Sequence, residues 1–227
     1  MKTPASAGRS LVWSSGSQLS RMKAAGHTLG DLGSVVVLLP WLHRQAAQQA
    51  AQTMLGRAGA DATVLALHDD LSVGLVTLLN QAVQLLEPQA EFLVYAAEDA
   101  FAGRGWLHLA LMELDRHPEA GLLAFNDGKW FGQLAAFGLV RRRWLAPLYE
   151  GLLFHPGYTR HFGDTELTVI ALQQRALAYH PHALLVEVDH GKDGRPVHDA
   201  DRRLFAQRAA GGFEGRVTDA ALLGRFA

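Results

Sequence analysis

Carboxylates stand where the hydrophobic runs of this chain end. Asp69-Asp70 follows Ala62–Leu67, Glu98-Asp99 follows Phe92–Ala96, Asn126-Asp127 follows Gly121–Phe125, and Asp189-His190 follows Ala183–Val188. Asp164-Thr165-Glu166-Leu167 instead opens a stretch that reads as a helix to about Ala178. Oxygen donors of this kind suit a divalent ion such as Mg2+ or Mn2+, and Mn2+ also tolerates an imidazole. A rigidly held carboxylate can also take a proton from a hydroxyl. The plain alternative is that Asp and Asn are common in turns and helix caps. Asp164 sits where an N-cap would, and capping and chemistry can coexist there. The chain has no cysteine, which excludes disulfide scaffolds, thiolate zinc sites and a cysteine nucleophile.

These residues need a frame to bring them together. Val35–Leu39, closed by Pro40, reads as a strand buried on both faces. A helix over His43–Arg57 follows, ended by Gly56 and Gly59. Ala62–Leu67 is the next strand, then a helix from about Val73 to Leu86 with Ser72 as its expected N-cap. Phe92–Ala96, a helix over Trp106–Arg116, and Gly121–Phe125 complete a regular alternation. That order predicts an α/β fold with a mostly parallel central sheet flanked by helices. The ligand site of such a sheet lies outside the carboxyl ends of its strands, where the acidic pairs fall. Beyond Asp127 the pattern changes. Leu134–Val140 reads as a mixed strand, followed by Arg141-Arg142-Arg143, the unassigned stretch Trp144–Leu153, a loop-like His/Tyr/Arg-rich segment over Gly157–Gly163 and, after the Asp164 helix, the last strand, Ala183–Val188. Residues 1–33 read as an extension with one short strand at Leu11–Trp13.

The chain has 227 residues, of which 49% are apolar and 19% charged, so a sizeable core is expected. Lys plus Arg is 21 against 22 for Asp plus Glu, which leaves no basic excess for a nucleic-acid partner. No apolar run approaches the ~20 residues of a membrane span. The N-terminal stretch lacks the apolar core of a secretory signal, so a cytoplasmic location is expected. G-x-G-x-x-G is absent, because Gly103-Arg104-Gly105 lacks the third glycine. The phosphate loop, H-E-x-x-H and G-x-S-x-G are absent too.

The order of these marks resembles the family 2-type glycosyltransferases with the GT-A fold, a single Rossmann-like domain. Val35–Pro40 with Arg44 resembles the opening strand and its basic neighbour, and Leu67-His68-Asp69-Asp70-Leu71-Ser72 resembles the V-D-D-G-S element with Leu71 for its glycine. Asn80-Gln81-Ala82 resembles an asparagine-plus-small-residue element of the next helix. Phe92–Asp99 with Gly105-Trp106-Leu107 resembles the strand, acidic metal motif and helix opening. Asp164-Thr165-Glu166-Leu167 and Tyr179–His190 resemble the catalytic motif and closing strand. The family's D-x-D begins here with Ala97.

The resemblance implies a GT-A domain over 34–212, with 1–33 as an extension and 213–227 as a tail. It implies a nucleotide-sugar donor, a UDP-sugar favoured, an acceptor hydroxyl on a glycan, lipid or protein, and inversion with Asp164 as base. Pro40, Arg44, Asp69, Asn80 and Glu98 would meet the nucleotide. Asp99 and His190 would hold Mn2+ or Mg2+. Trp106, Trp130 and His161 would line the sugar or acceptor pocket, and Arg141–Arg143 would steer the anionic donor. Two other readings share parts of this pattern. A nucleotidyltransferase shares the acidic sheet edge, but Pro40–Gln45 lacks the glycine-rich loop it needs. A catalytically inactive nucleotide- or glycan-binding module is favoured by Ala97.

Overall fold

The computed structural model describes residues 8–188 and 197–226. Among them, eight strands form one sheet: β1 (Ser10–Ser15), β2 (Val35–Trp41), β3 (Thr63–His68), β4 (Phe92–Tyr95), β5 (Ala100–Ala102), β6 (Leu122–Asn126), β7 (Gly138–Arg141) and β8 (Leu177–Glu187). The first four helices are α1 (Gly16–Ala24), α2 (Arg44–Arg57), α3 (Leu75–Gln84) and α4 (Trp106–Arg116). The chain continues through α5 (Arg142–Leu145), α6 (Gly163–Gln173), α7 (Asp199–Ala210), α8 (Gly212–Gly215) and α9 (Ala220–Leu223).

The strand order is β1-β3-β2-β4-β7-β6-β8-β5. β1, β3, β2 and β4 run parallel, as do β6 and β8; β7 is antiparallel between β4 and β6, and β5 is antiparallel to β8. The sheet is therefore mixed on the β6 side. A buried apolar run looks the same in either direction, so the sequence could not show that β7 would reverse the order there.

Val36 to Leu39 have no exposed surface, because helices cover both faces of the sheet. One core gathers Leu19 of α1, Leu78 and Leu79 of α3, Leu167 of α6 and Phe205 of α7. The other gathers Ala47, Ala51 and Met54 of α2 with Leu107, Ala110 and Leu114 of α4. The alanines of α2 let that helix lie close to the strands. Trp106 belongs to this second core. Its side chain is 1% exposed and its Nε1 donates to the Met54 carbonyl at 2.9 Å. It braces α4 on α2 inside the core, which corrects the expectation that it lines the sugar or acceptor pocket. Truncating so large a buried ring costs about 3–5 kcal/mol.

The segment read as an extension supplies the outer strand of the sheet. Ser10–Ser15 pairs in parallel with Thr63–His68, and Ser15 caps α1 by accepting from the Gln18 amide at 3.3 Å. Its serine-rich sequence fits an edge, where one side of the ladder meets solvent. The C-terminal tail is integrated too, since Phe213 is fully buried and Val217 is 2% exposed. Between β7 and α6 the chain makes the short α5 and a 3-10 turn over Tyr149–Gly151. No helix among the described residues is long and apolar enough to cross a membrane.

Candidate active site

The carboxyl ends of β2 and β4 and the start of α3 meet the loop before α6 around a cavity of about 300 Å3. Pro40, Ala96 and Ala97 form the sheet side. Leu75, Val76, Leu79, Phe137, Phe154 and Phe162 supply an apolar wall. Asp164 is the one carboxylate among the described lining residues.

Asp164 gets there through close packing. Phe162 adopts a left-handed φ of 68°, and α6 starts at Gly163. A Cβ on Gly163 would lie 2.9 Å from the Phe154 ring, so only glycine lets the helix start press against that wall. Asp164 thus falls inside the first turn and not at the N-cap. Its Oδ1 accepts from the Thr165 amide at 2.8 Å and the Thr165 hydroxyl at 3.3 Å. Its Oδ2 has no hydrogen bond within the described protein. Burial raises its pKa from 3.8 to about 6, and the nearby Glu187 charge adds to the rise.

Most of the other acidic groups at this edge serve the backbone. Asp69 accepts from the Val73 amide at 2.9 Å and the Gly74 amide at 2.8 Å, so it holds the entry to α3. Ser72 is not the cap; its φ is 54° and α3 starts at Leu75. Asp70 accepts from the Ser17 amide at 2.9 Å, tying β3 to the start of α1. Glu98 accepts from the Leu42 and His43 amides at 3.0 and 2.9 Å, capping α2. Asp127 accepts from the Lys129 and Trp130 amides at 2.9 and 2.7 Å. Carboxylates near helix starts are favoured by the amide dipoles, which explains their abundance here.

Two buried carboxylates hold the loop that carries the site. Asp201 of α7, 1% exposed, accepts from the amides of Thr159, Arg160 and His161 at 2.9, 2.8 and 3.0 Å. Burial opposes its charge, but those three amides keep its pKa below the usual value. Arg160 and His161 are thereby fixed on the cavity, with exposed side chains at its mouth. Glu166, fully buried, accepts from Arg208 Nε and Nη2, both at 2.7 Å, and from the hydroxyls of Tyr158 and Tyr149. This bidentate pair clamps α6 to α7. Neither Asp201 nor Arg208 carries a local sequence signal for this role.

The remaining expected residues divide. Pro40 and His161 line the cavity. Arg44 stacks over the Trp13 ring at 4.4 Å, and Trp13, Trp41 and His68 form a continuous aromatic group at the ends of β1, β2 and β3. Asn80 is 6% exposed; its amide donates to the Phe154 carbonyl at 2.9 Å and accepts from the Phe154 amide at 3.1 Å. It builds the cavity wall from behind and cannot face a nucleotide, which corrects that expectation. Trp130 packs edge-on against Phe226 at 6.2 Å, away from the described cavity lining. Arg141 and Arg142 lie at the opposite, amino end of β4. They donate to the carbonyls of Leu114, Ala120, Leu86 and Glu87 that finish α4 and α3. The arginine run is structural there and does not steer a ligand to the cavity.

The expected metal pair is Asp99 and His190. His190 lies outside the described residues. Ala97 brings no donor atom, and Glu98 faces the α2 amides. Asp99 lies in the turn between β4 and β5 with buried carboxylate oxygens. No three His, Asp or Glu side chains converge among the described residues. The described donor set does not fit a divalent ion held by protein groups.

No protein-family model and no curated protein matches the sequence. Solved structures do match. One is the mannosyltransferase PcManGT from Pyrobaculum calidifontis in complex with GDP-Man and Mn2+, at 14% identity and TM-score 0.52, over 84% of this chain and 67% of that one. Another is a mutant of Drosophila beta1,4-galactosyltransferase 7 with manganese, UDP-Gal and xylobiose, at 13% identity and TM-score 0.54, over 76% of this chain and 79% of that one. The chain has the GT-A glycosyltransferase fold.

Proposed function

We propose that the protein transfers a sugar from a nucleotide-diphosphate donor to an acceptor hydroxyl, with inversion and with Asp164 as the base. The observation that carries this reading is the Asp164 carboxylate. One oxygen is held by Thr165, the other is unbonded within the described protein, and the pKa is raised to about 6. At neutral pH such a group is ionised yet close enough to the working pH to accept a proton effectively. The acceptor oxygen would form its bond to the anomeric carbon as its proton passes to Asp164. The bond to the donor phosphate would break, and the nucleoside diphosphate would leave with the negative charge. A single carboxylate among the described lining residues supports one displacement, since a double displacement needs a second group as nucleophile. Arg160, fixed at the mouth by Asp201, supplies positive charge for the departing phosphates.

On the donor side we assign Pro40, Arg44 and Asp69. Each Asp69 oxygen accepts one backbone amide and has capacity for a further bond, which fits the imino N–H of a uracil and favours a UDP-sugar. A divalent ion, Mn2+ or Mg2+, enters only as something the donor diphosphate carries in. The domain in this reading spans the described chain from β1 to α9, because β1 and Phe213 are parts of its sheet and core.

Release of nucleoside diphosphate from a panel of UDP- and GDP-sugars tests the proposal. Wild-type protein should release UDP with at least one donor, and Asp164→Asn should lower that rate by about 10²–10⁴-fold with nucleotide affinity nearly unchanged. Equal rates for the two proteins would overturn the assignment of the base.

A further inference from the structure

Among the described residues, the cavity beside Asp164 is short of polar side-chain groups for its size. Tyr95 lines it, but its hydroxyl donates to the Ala135 carbonyl at 2.7 Å. Asn80, behind the wall, has both ends of its amide on the Phe154 backbone. The Thr165 hydroxyl points to Asp164 itself. What the described lining offers is the Asp164 carboxylate, with Arg160 and His161 at the mouth, against leucine, valine, alanine and phenylalanine walls. A pyranose brings several hydroxyls. Each one buried without a partner weakens binding roughly 10–100-fold. At about 300 Å3 the space is also at the lower limit of ligand pockets, so it suits one ring or a short chain.

We propose that the acceptor is an alcohol carried on an apolar body, aromatic or aliphatic, and not a sugar. This rests on the reading of Asp164 as the base. The single hydroxyl meets Asp164 Oδ2, and the body packs on Leu75, Leu79, Phe154 and Phe162. In transfer, the acceptor O–H bond breaks toward Asp164, the oxygen bonds the anomeric carbon, and the diphosphate leaves with the electron pair. No other reactant is needed.

Three probes test this by titration calorimetry on the full chain at pH 7.5: 4-ethylphenol, methyl β-glucopyranoside and methyl α-rhamnopyranoside. The phenol should bind at least tenfold tighter than either glycoside. Its methyl ether, 4-ethylanisole, should bind at least fivefold more weakly, and so should the phenol to Asp164→Asn. Leu75→Gln places an amide in the wall at a half-buried position, where folding should survive. It should weaken the phenol at least threefold without weakening the glucoside. A preference for the glucoside would overturn the apolar acceptor, and a preference for the rhamnoside would give the space to a deoxygenated sugar. Failure of all three probes at millimolar concentration would overturn the proposal as well. Loss of the base reading shows separately, in donor turnover by Asp164→Asn, which needs none of these probes.

Discussion

Asp164→Asn should slow transfer about 10²–10⁴-fold and make the protein more stable, and the two effects should separate with pH. The wild-type carboxyl has its pKa raised from 3.8 to about 6. The folded state therefore binds a proton that the unfolded state releases between those values. Raising the pH through this window destabilises the folded state, and the full cost is present above about pH 7. Two pKa units correspond to about 3 kcal/mol, and solvent reaching the cavity lowers this to about 1–3 kcal/mol. Asparagine keeps an oxygen for the Thr165 amide and carries no charge. Its melting temperature at pH 8 should exceed wild type by roughly 3–10 °C for a chain this size. The gain should shrink steadily toward pH 4.5. Urea unfolding at four pH values, read by tryptophan fluorescence, measures it. The wild-type kcat/KM should rise with pH through about 6, as the base ionises. A variant destabilised equally at every pH would refute the reasoning. It would mean that the second oxygen is part of the structure and not a desolvated base.

Glu166→Gln removes the bidentate carboxylate from Arg208 and leaves it only Glu214, 3.0 Å away, as counter-charge among the described residues, so it should cost about 1.5–3 kcal/mol in urea unfolding. Residual transfer should keep the wild-type pH profile, because Asp164 still carries the titration. Asp69→Ala removes the acceptor for the Val73 and Gly74 amides, so it should lower stability by about 1 kcal/mol and weaken UDP in calorimetry. Unchanged UDP affinity would remove Asp69 from the donor site. In the absence of nucleotide, Mn2+ should bind more weakly than about 1 mM, the range of the weakest oxygen-ligand sites; tight binding to the protein alone would reveal a centre that the described residues do not show.

Much of the frame was legible in the sequence. Val35–Leu39 and the run ending at Leu67 are strands because β-branched and aliphatic residues covered on both faces leave no polar alternation. The carboxyl edge was legible as well, since the acidic residues mark where buried runs reach water. So were the local caps: Asp69 reaches amides four and five residues on, and Asp127 reaches amides two and three on. Those distances lie within one turn of chain.

The tertiary structure alone decided which carboxylate stays available. Glu98 finds its amides at Leu42 and His43, Asp70 at Ser17, and Asp201 at residues 159–161, all some 40–56 positions away. A strand-end acid reads the same whether a distant helix start is within reach or not. Trp106 and Asn80 pack inside for the same reason, because a motif gives residue type and spacing but not which face the packed helix turns inward. Asp164 differs from its acidic neighbours because Gly163 fits against Phe154 and brings Asp164 into the lining of a cavity with an apolar wall. That packing sets its pKa, and no local pattern encodes it.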